Sequence, residues 1–118
     1  MNKRIAHKSL STLAIATGLV LCLFAATSAF AGDNKSEAKE HFKEGQIHYK
    51  LGRFKDALAE YSKAYELAPL PGFLFNIGQC HRELGNYERA IFFYEGYLRE
   101  RPEAENRSLV EDLLKESK

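Results

Sequence analysis

From residue 39 onward the chain repeats itself at an interval of 33 residues, and this repetition constrains the fold more than any other feature. A period of this length is typical of stacked helical hairpins, each of which buries its apolar face against its neighbours. The repetition therefore predicts an all-α fold. Nine positions carry the same residue in both copies: Phe42/Phe75, Gly45/Gly78, Gln46/Gln79, His48/His81, Leu51/Leu84, Gly52/Gly85, Ala57/Ala90, Tyr61/Tyr94 and Pro69/Pro102.

Each copy predicts two helices that are separated by a glycine. Glycine adopts the left-handed conformation at a helix end without steric cost, so Gly52 and Gly85 each end a helix. The prolines that follow end the second helix of each pair. In the first copy the helices are expected from a cap at Asn34 or Ser36 to about Leu51, and from about Arg53 to Ala68. In the second copy they are expected from about Gly72 to Leu84, and from Asn86 to about Arg101.

Gly45 and Gly78 lie inside predicted helices, where glycine costs about 1 kcal/mol relative to alanine. The close approach of a partner helix would compensate for this cost. We expect Ala57 and Ala90 to be the small residues on the other side of that contact.

A fifth helix is predicted after the second copy, opened by Asn106. It carries Leu109, Val110, Leu113 and Leu114 on one side. Because the last unit of a stacked array needs an apolar inner face and a polar outer one, this helix is expected to cap the second pair.

The first 31 residues have the features of a secretory signal peptide. Lys3, Arg4 and Lys8 precede a mostly apolar stretch from residue 10 to 24, and Ala29 and Ala31 supply the small residues that a signal peptidase recognises. We expect cleavage after Ala31 and a periplasmic or secreted bacterial protein. The alternative is a retained membrane anchor, since residues 10–31 are long enough to span a bilayer.

The charge of the remaining chain does not favour binding to nucleic acid or to an anionic membrane surface. Removing Lys3, Arg4 and Lys8 from the 17 basic residues leaves 14, against 16 acidic residues. A basic excess is the usual mark of both kinds of partner. Contact with a membrane is therefore expected only if the N-terminal segment is retained.

No residue pattern in the chain predicts catalysis, a metal or a cofactor. His41 and His48 are seven positions apart, too far to share one tetrahedral ion on one helix, and no zinc motif accompanies them. We expect the histidines to be half-buried and bonded within their helix pairs. Cys80 is adjacent to His81, but neighbours on a helix point about 100° apart, so the pair cannot act together. Cys80 is predicted to be a buried thiol.

The repeated residues resemble the tetratricopeptide repeat family. The resemblance rests on Gly45, Leu51, Gly52, Phe54, Ala57, Tyr61, Ala64 and Pro69 in the first copy, and on Leu74, Ile77, Gly78, Leu84, Gly85, Tyr87, Ala90, Tyr94 and Pro102 in the second. The second copy is also similar to units of exported bacterial repeat proteins. The resemblance implies a polar lead at 32–37, one unit at 38–70, a second at 71–104 and a capping helix at 105–118.

Family resemblance also implies a function, which is to bind a protein or peptide segment in the concave groove formed by the first helix of each pair. We therefore expect an adaptor without enzymatic activity. Aromatic side chains would supply contact area, and amide groups would bond to a peptide backbone. The expected groove residues are Phe42, Gln46, Tyr49, Phe75, Gln79 and Arg82. In the alternative interpretation, Phe42 and Phe75 only pack against each other.

Phe92 and Phe93 replace Ala59 and Glu60 of the first copy. Two exposed phenylalanines would indicate an interface, so a structural homodimer remains an alternative to the adaptor. Burial of the pair beneath the fifth helix is the other interpretation.

Overall fold

The structure, a computed structural model, describes residues 32–118, and every regular element in that range is an α-helix. Helix α1 covers residues 32–50. It is followed by α2 (Phe54–Leu67), α3 (Pro71–Glu83), α4 (Tyr87–Glu100) and α5 (Arg107–Ser117). The predicted all-α fold of two helical hairpins and a fifth helix is confirmed. The predicted signal peptide at 1–31 and its cleavage site lie outside the described residues.

Helix α1 differs from its predicted start. Residues 32–37, which were expected to form a polar lead with a cap at Asn34 or Ser36, are already helical. No proline occurs in this segment, so nothing in its backbone prevents the helix from including it.

The same hydrogen-bonded turn ends the first helix of both pairs. Gly52 has φ 71° and Gly85 has φ 75°, values that favour glycine. Arg53 N donates to the His48 carbonyl at 2.9 Å, and Asn86 N donates to the His81 carbonyl at 2.8 Å. These bonds satisfy carbonyl groups that would otherwise be left without partners at a helix end. The repetition in sequence is therefore a repetition of turn geometry.

A close contact between a glycine and a tyrosine ring holds each hairpin together. A Cβ placed on Gly45 would lie 2.7 Å from Cδ1 and Cε1 of Tyr61, and one on Gly78 would lie 2.8 Å from the same atoms of Tyr94. The predicted close approach is therefore present, but its principal partner is a tyrosine ring rather than the small Ala57 or Ala90. Both alanines are fully buried.

Two apolar clusters form the core of the described residues. Ala57, Tyr61, Ile77 and Cys80 form the first, where α2 meets α3. The second joins α3, α4 and α5. Its members are Leu74, Ala90, Tyr94, Tyr97, Ala104, Val110 and Leu113. Tyr65 and Phe93 pack against both clusters, so the two units share one continuous interior.

Helix α5 covers the second hairpin, as the sequence indicates. Val110 and Leu113 are buried against it. The Tyr97 hydroxyl donates to Asn106 Oδ1 at 2.7 Å, so the Asn106 side chain contacts α4 and makes no capping bond. Arg82 on α3 donates to Glu116 Oε2 at 2.9 Å. Within residues 32–118, no helix combines the length and the apolar character needed to cross a membrane.

Replacing Gly78 by alanine tests the contact between glycine and the tyrosine ring. Overpacking of about 1–3 kcal/mol should outweigh the roughly 1 kcal/mol that alanine gains in helix propensity. We therefore expect urea denaturation to show a lower free energy of unfolding. Gly72 is the matched control, since a Cβ there would meet nothing within 4 Å. If Gly78→Ala proved as stable as Gly72→Ala, the contact would not constrain the hairpin.

Cys80 is 0% exposed, and burial together with the nearby Glu83 raises the pKa of its thiol to about 12. We expect no reaction with a thiol reagent at pH 8 until the protein unfolds, because the thiolate is the reactive form. Ile47 occupies the equivalent position one repeat earlier and is 50% exposed. An Ile47→Cys variant should therefore react readily. Mass mapping of labelled peptides distinguishes Cys80 from Cys22, and rapid labelling of Cys80 in the folded protein would contradict the prediction.

Candidate protein-binding groove

Helices α1 and α3 lie side by side, and the predicted groove residues lie on one face of each. On α1 these are Phe42, Gln46 and Tyr49, at spacings of four and three that bring side chains onto one face. Their equivalents on α3 are Phe75, Gln79 and Arg82. We call these two faces together the inner face. The proximity of α1 and α3 is evident from the rings of Phe42 and Phe73, whose centroids are 5.5 Å apart.

The α1 half of the inner face is the more accessible one. Phe42 is half-buried, and its ring contacts those of Tyr61 and Phe73. Gln46 is exposed. Tyr49 is half-buried and packs edge-on against Phe54, with 5.2 Å between centroids. Burial, with a contribution from Glu83, raises the pKa of Tyr49, so its hydroxyl remains a neutral donor and acceptor at physiological pH.

The α3 half is held in place by its own chain. The ring of Phe75 packs against Tyr94 at 6.0 Å and against Tyr97 at 5.6 Å. Gln79 Oε1 accepts a hydrogen bond from the Tyr94 hydroxyl at 2.7 Å, which orients the amide and leaves its NH₂ group to serve a ligand. Arg82 is oriented by its bond to Glu116. These side chains are therefore held in place before a ligand binds. Phe75 offers a ligand less free ring surface than a phenylalanine without such contacts would.

A cavity beside Phe42 adds residues that the sequence analysis did not single out. Its lining includes Lys35, Lys39, Leu70 and Phe73. They come from two helices and a turn, so no local periodicity connects them. A comparison of the two copies could have identified them, because the positions of Leu70 and Phe73 are occupied by Glu103 and Asn106 in the second copy.

The structure gives Phe92 and Phe93 different environments. Phe93 is half-buried and stacks on His81, with 5.4 Å between centroids and 8° between planes. Phe92 is 56% exposed and lies edge-on to Phe93. The Arg89 guanidinium is 5.1 Å from the centroid of the Phe92 ring and 5.0 Å from that of Phe93. Of the pair, Phe92 is the side chain available to a partner.

The histidines have separate surroundings. His41 Nδ1 lies 2.6 Å from Glu60 Oε2, a bond that joins α1 to α2. His48 Nδ1 is 4.0 Å from Asp56, and neither it nor His81 Nδ1 has a hydrogen-bond partner within the described residues. The expected bonding within the helix pair is therefore present for His41 alone. Burial and the charge of Arg89 lower the pKa of His81. Among residues 32–118, no group of three metal-ligating side chains lies together.

Comparison with known protein families supports the interpretation of the repeats. Residues 42–105 match the model described as "Tetratricopeptide repeat", and this range is just over half of the 118 residues. A search of curated proteins found no match. Repeats of this kind generally mediate protein–protein interaction and are typically not enzymes. The match runs from the middle of α1 to just past the end of α4 and includes Gly52 and Gly85, and on this ground the chain belongs to the tetratricopeptide repeat family.

Proposed function

We propose that the chain is an exported adaptor that binds an extended segment of another protein along its inner face. The observation that carries the proposal is the α1 half of that face, where Phe42 and Tyr49 are partly accessible beside the exposed Gln46. A protein-interaction family and an accessible row of aromatic and amide groups together favour a binding role over a purely structural one.

The two halves of the inner face would contribute differently to binding. Phe42 and Tyr49 offer rigid apolar area at small cost in side-chain entropy. Gln46 and Gln79 can bond to the backbone of an extended segment, and the Tyr94 hydroxyl already fixes the orientation of Gln79. Because the side chains on α3 are held before a ligand arrives, less entropy is lost on binding.

Replacing both Gln46 and Tyr49 by alanine tests the inner face. Removing a central aromatic contact commonly costs about 2 kcal/mol or more, so we expect crosslinked partner recovered from a periplasmic fraction to fall by about tenfold or more. Circular dichroism should show the same helix content as the parent, since Gln46 is exposed and Tyr49 only half-buried.

Phe92→Ala is the matched aromatic control, because Phe92 lies on α4, outside the inner face, and is exposed. Its capture of the partner should equal that of the parent protein. If the Gln46 and Tyr49 double variant captured partner as well as the parent did, the inner face would not be the binding site.

The second candidate function is a structural homo-oligomer, and the exposed ring of Phe92 is the observation that favours it. In this case sedimentation of the parent would depend on concentration, and Phe92→Ala would abolish that dependence. A parent that stays monomeric over the same concentration range would leave the adaptor as the better account.

Export is supported by the basic start, the apolar stretch and the small residues before position 32. We expect the protein isolated from a bacterial host to begin at Gly32, as measured by intact mass and N-terminal sequencing. A replacement of Ala29 and Ala31 by bulky residues should leave the segment attached. A wild-type protein that retains residues 1–31 would instead be a membrane-anchored scaffold with the same inner face.

A further inference from the structure

An open cavity of about 340 Å³ lies between the start of α1 and the turn that joins α2 to α3. This volume is near the lower end of the range of about 300–1,000 Å³ that is usual for ligand pockets, and it has room for a large side chain. The walls are apolar and come from three parts of the chain: Ala38 and Phe42 on α1, Ala68 and Leu70 in the turn, and Phe73 on α3.

Packing fixes most of these walls before any ligand arrives. The Phe42 ring lies 5.5 Å from that of Phe73 and 5.8 Å from that of Tyr61, centroid to centroid. Ala38 and Phe73 are buried, whereas Leu70 is 47% exposed at the rim. A preformed pocket of this kind loses little entropy when it is filled.

The second repeat unit shows that the fold does not require an apolar lining here. A depression at the turn that follows α4 is lined by Tyr97, Arg101, Glu103, Glu105 and Asn106, and α3 contributes no residue to it. Their equivalents one repeat earlier are Ala64, Ala68, Leu70, Gly72 and Phe73. The turn that follows the second helix of each pair is therefore charged in one unit and apolar in the other, so its apolar residues are a property of the first unit and not of the architecture.

Two lysines complete the rim of the cavity. Lys35 and Lys39 are four residues apart on α1, which brings them onto one face of the helix, and both are exposed. The ion pairs among residues 32–118 involve neither lysine. Two ammonium groups that form no salt bridge within residues 32–118, beside an apolar cavity, are complementary to an apolar group that carries acidic neighbours.

We propose that this cavity binds an aromatic or large aliphatic side chain of an acidic peptide segment, with carboxylates next to that anchor in contact with Lys35 and Lys39. The proposal rests on the adaptor function and specifies the class of segment that the adaptor accepts. The cavity lies at one end of the inner face, since its wall residue Phe42 is followed on the same face by Gln46 and Tyr49. A peptide segment anchored in the cavity can therefore continue along the inner face, past the amide group of Gln46 and the hydroxyl group of Tyr49.

A fatty acid combines the same two chemical features, but the cavity favours a peptide. The face that continues from it offers hydrogen-bonding groups that an acyl chain cannot use. A lipid is therefore an outcome for the experiment to distinguish.

The experiment measures the binding of a labelled peptide by fluorescence anisotropy. It uses the protein as isolated from the bacterial host, with its N-terminus identified by mass. The probe is a dye-labelled glycine–serine peptide with a central phenylalanine between two glutamates. One control peptide has lysines in place of the glutamates, and the other has alanine in place of the phenylalanine. We expect the acidic aromatic peptide to bind about tenfold more tightly than either control, because each control lacks one of the two complementary features.

Three variants locate the site. Lys35→Glu with Lys39→Glu replaces two attractions by two repulsions and should weaken binding by about tenfold. Leu70→Asp introduces a carboxylate at the exposed rim and should have a similar effect without disturbing the core. Lys50→Glu with Lys55→Glu is the matched control, since it makes the same change in net charge at exposed lysines that do not line the cavity. It should change affinity by less than about twofold.

Several results would overturn the proposal. Equal binding of the three peptides would show that the cavity does not select an aromatic residue with acidic neighbours. Equal effects of the two charge-reversal pairs would show that binding depends only on general attraction between charges. Binding of a dye-labelled fatty acid that Leu70→Asp abolishes, with no binding of the acidic peptide, would assign the cavity to a lipid. If partner capture requires Gln46 and Tyr49 while the acidic peptide does not bind, the adaptor function stands and this inference alone fails.

Discussion

Each hairpin depends on the contact between a helix glycine and the face of a tyrosine ring. At 2.7–2.8 Å from a hypothetical Cβ, the Tyr61 and Tyr94 rings occupy the space that any side chain at Gly45 or Gly78 would need. The two helices of a pair can therefore approach closely, and the tyrosine is buried as a consequence. The buried hydroxyl of Tyr94 then needs a partner, and Gln79 on the inner face supplies it. A packing requirement in the hairpin thus orients a polar group on the surface where a ligand would bind.

The differences between the two copies, more than their similarities, determine what each part of the surface can do. The second copy uses Tyr97 to pack against Phe75 and to bond Asn106, which ties α5 to the hairpin. The first copy has Ala64 at the position of Tyr97 and no comparable closing bond among the described residues. It carries an apolar cavity beside Phe42, and the turn in the wall of that cavity is apolar where the second copy has charged residues. Within residues 32–118, the second copy is therefore closed by α5, whereas the first copy carries an accessible cavity.

Most of the fold could be predicted from the sequence, because its signals are local. Gly52, Gly85 and the prolines punctuate the helices, and the observed bounds lie within a residue or two of the expected ones for all but the start of α1. The site was less predictable, since side-chain partners are set by three-dimensional packing. Helical spacing placed Gln79 on the inner face but could not indicate its bond to Tyr94. For the same reason, the sequence presented Phe92 and Phe93 as a pair, whereas packing against His81 buries one of them and leaves the other exposed.

Within residues 32–118, the two repeat units differ in what covers their first helix. In the interior, the face of α3 that carries Cys80 is covered by α2, and the equivalent face of α1, at Ile47, has no such cover among the described residues. Covering helices in a repeat array convert apolar side chains into core, so binding surfaces persist only where a neighbour is missing or a small residue leaves space. At the cavity beside Phe42 the second condition applies, because its lining residue Ala68 stands where the second copy has Arg101. Lys35 and Lys39 lie at the rim of this cavity, where the carboxylates of the proposed acidic segment would meet their charges.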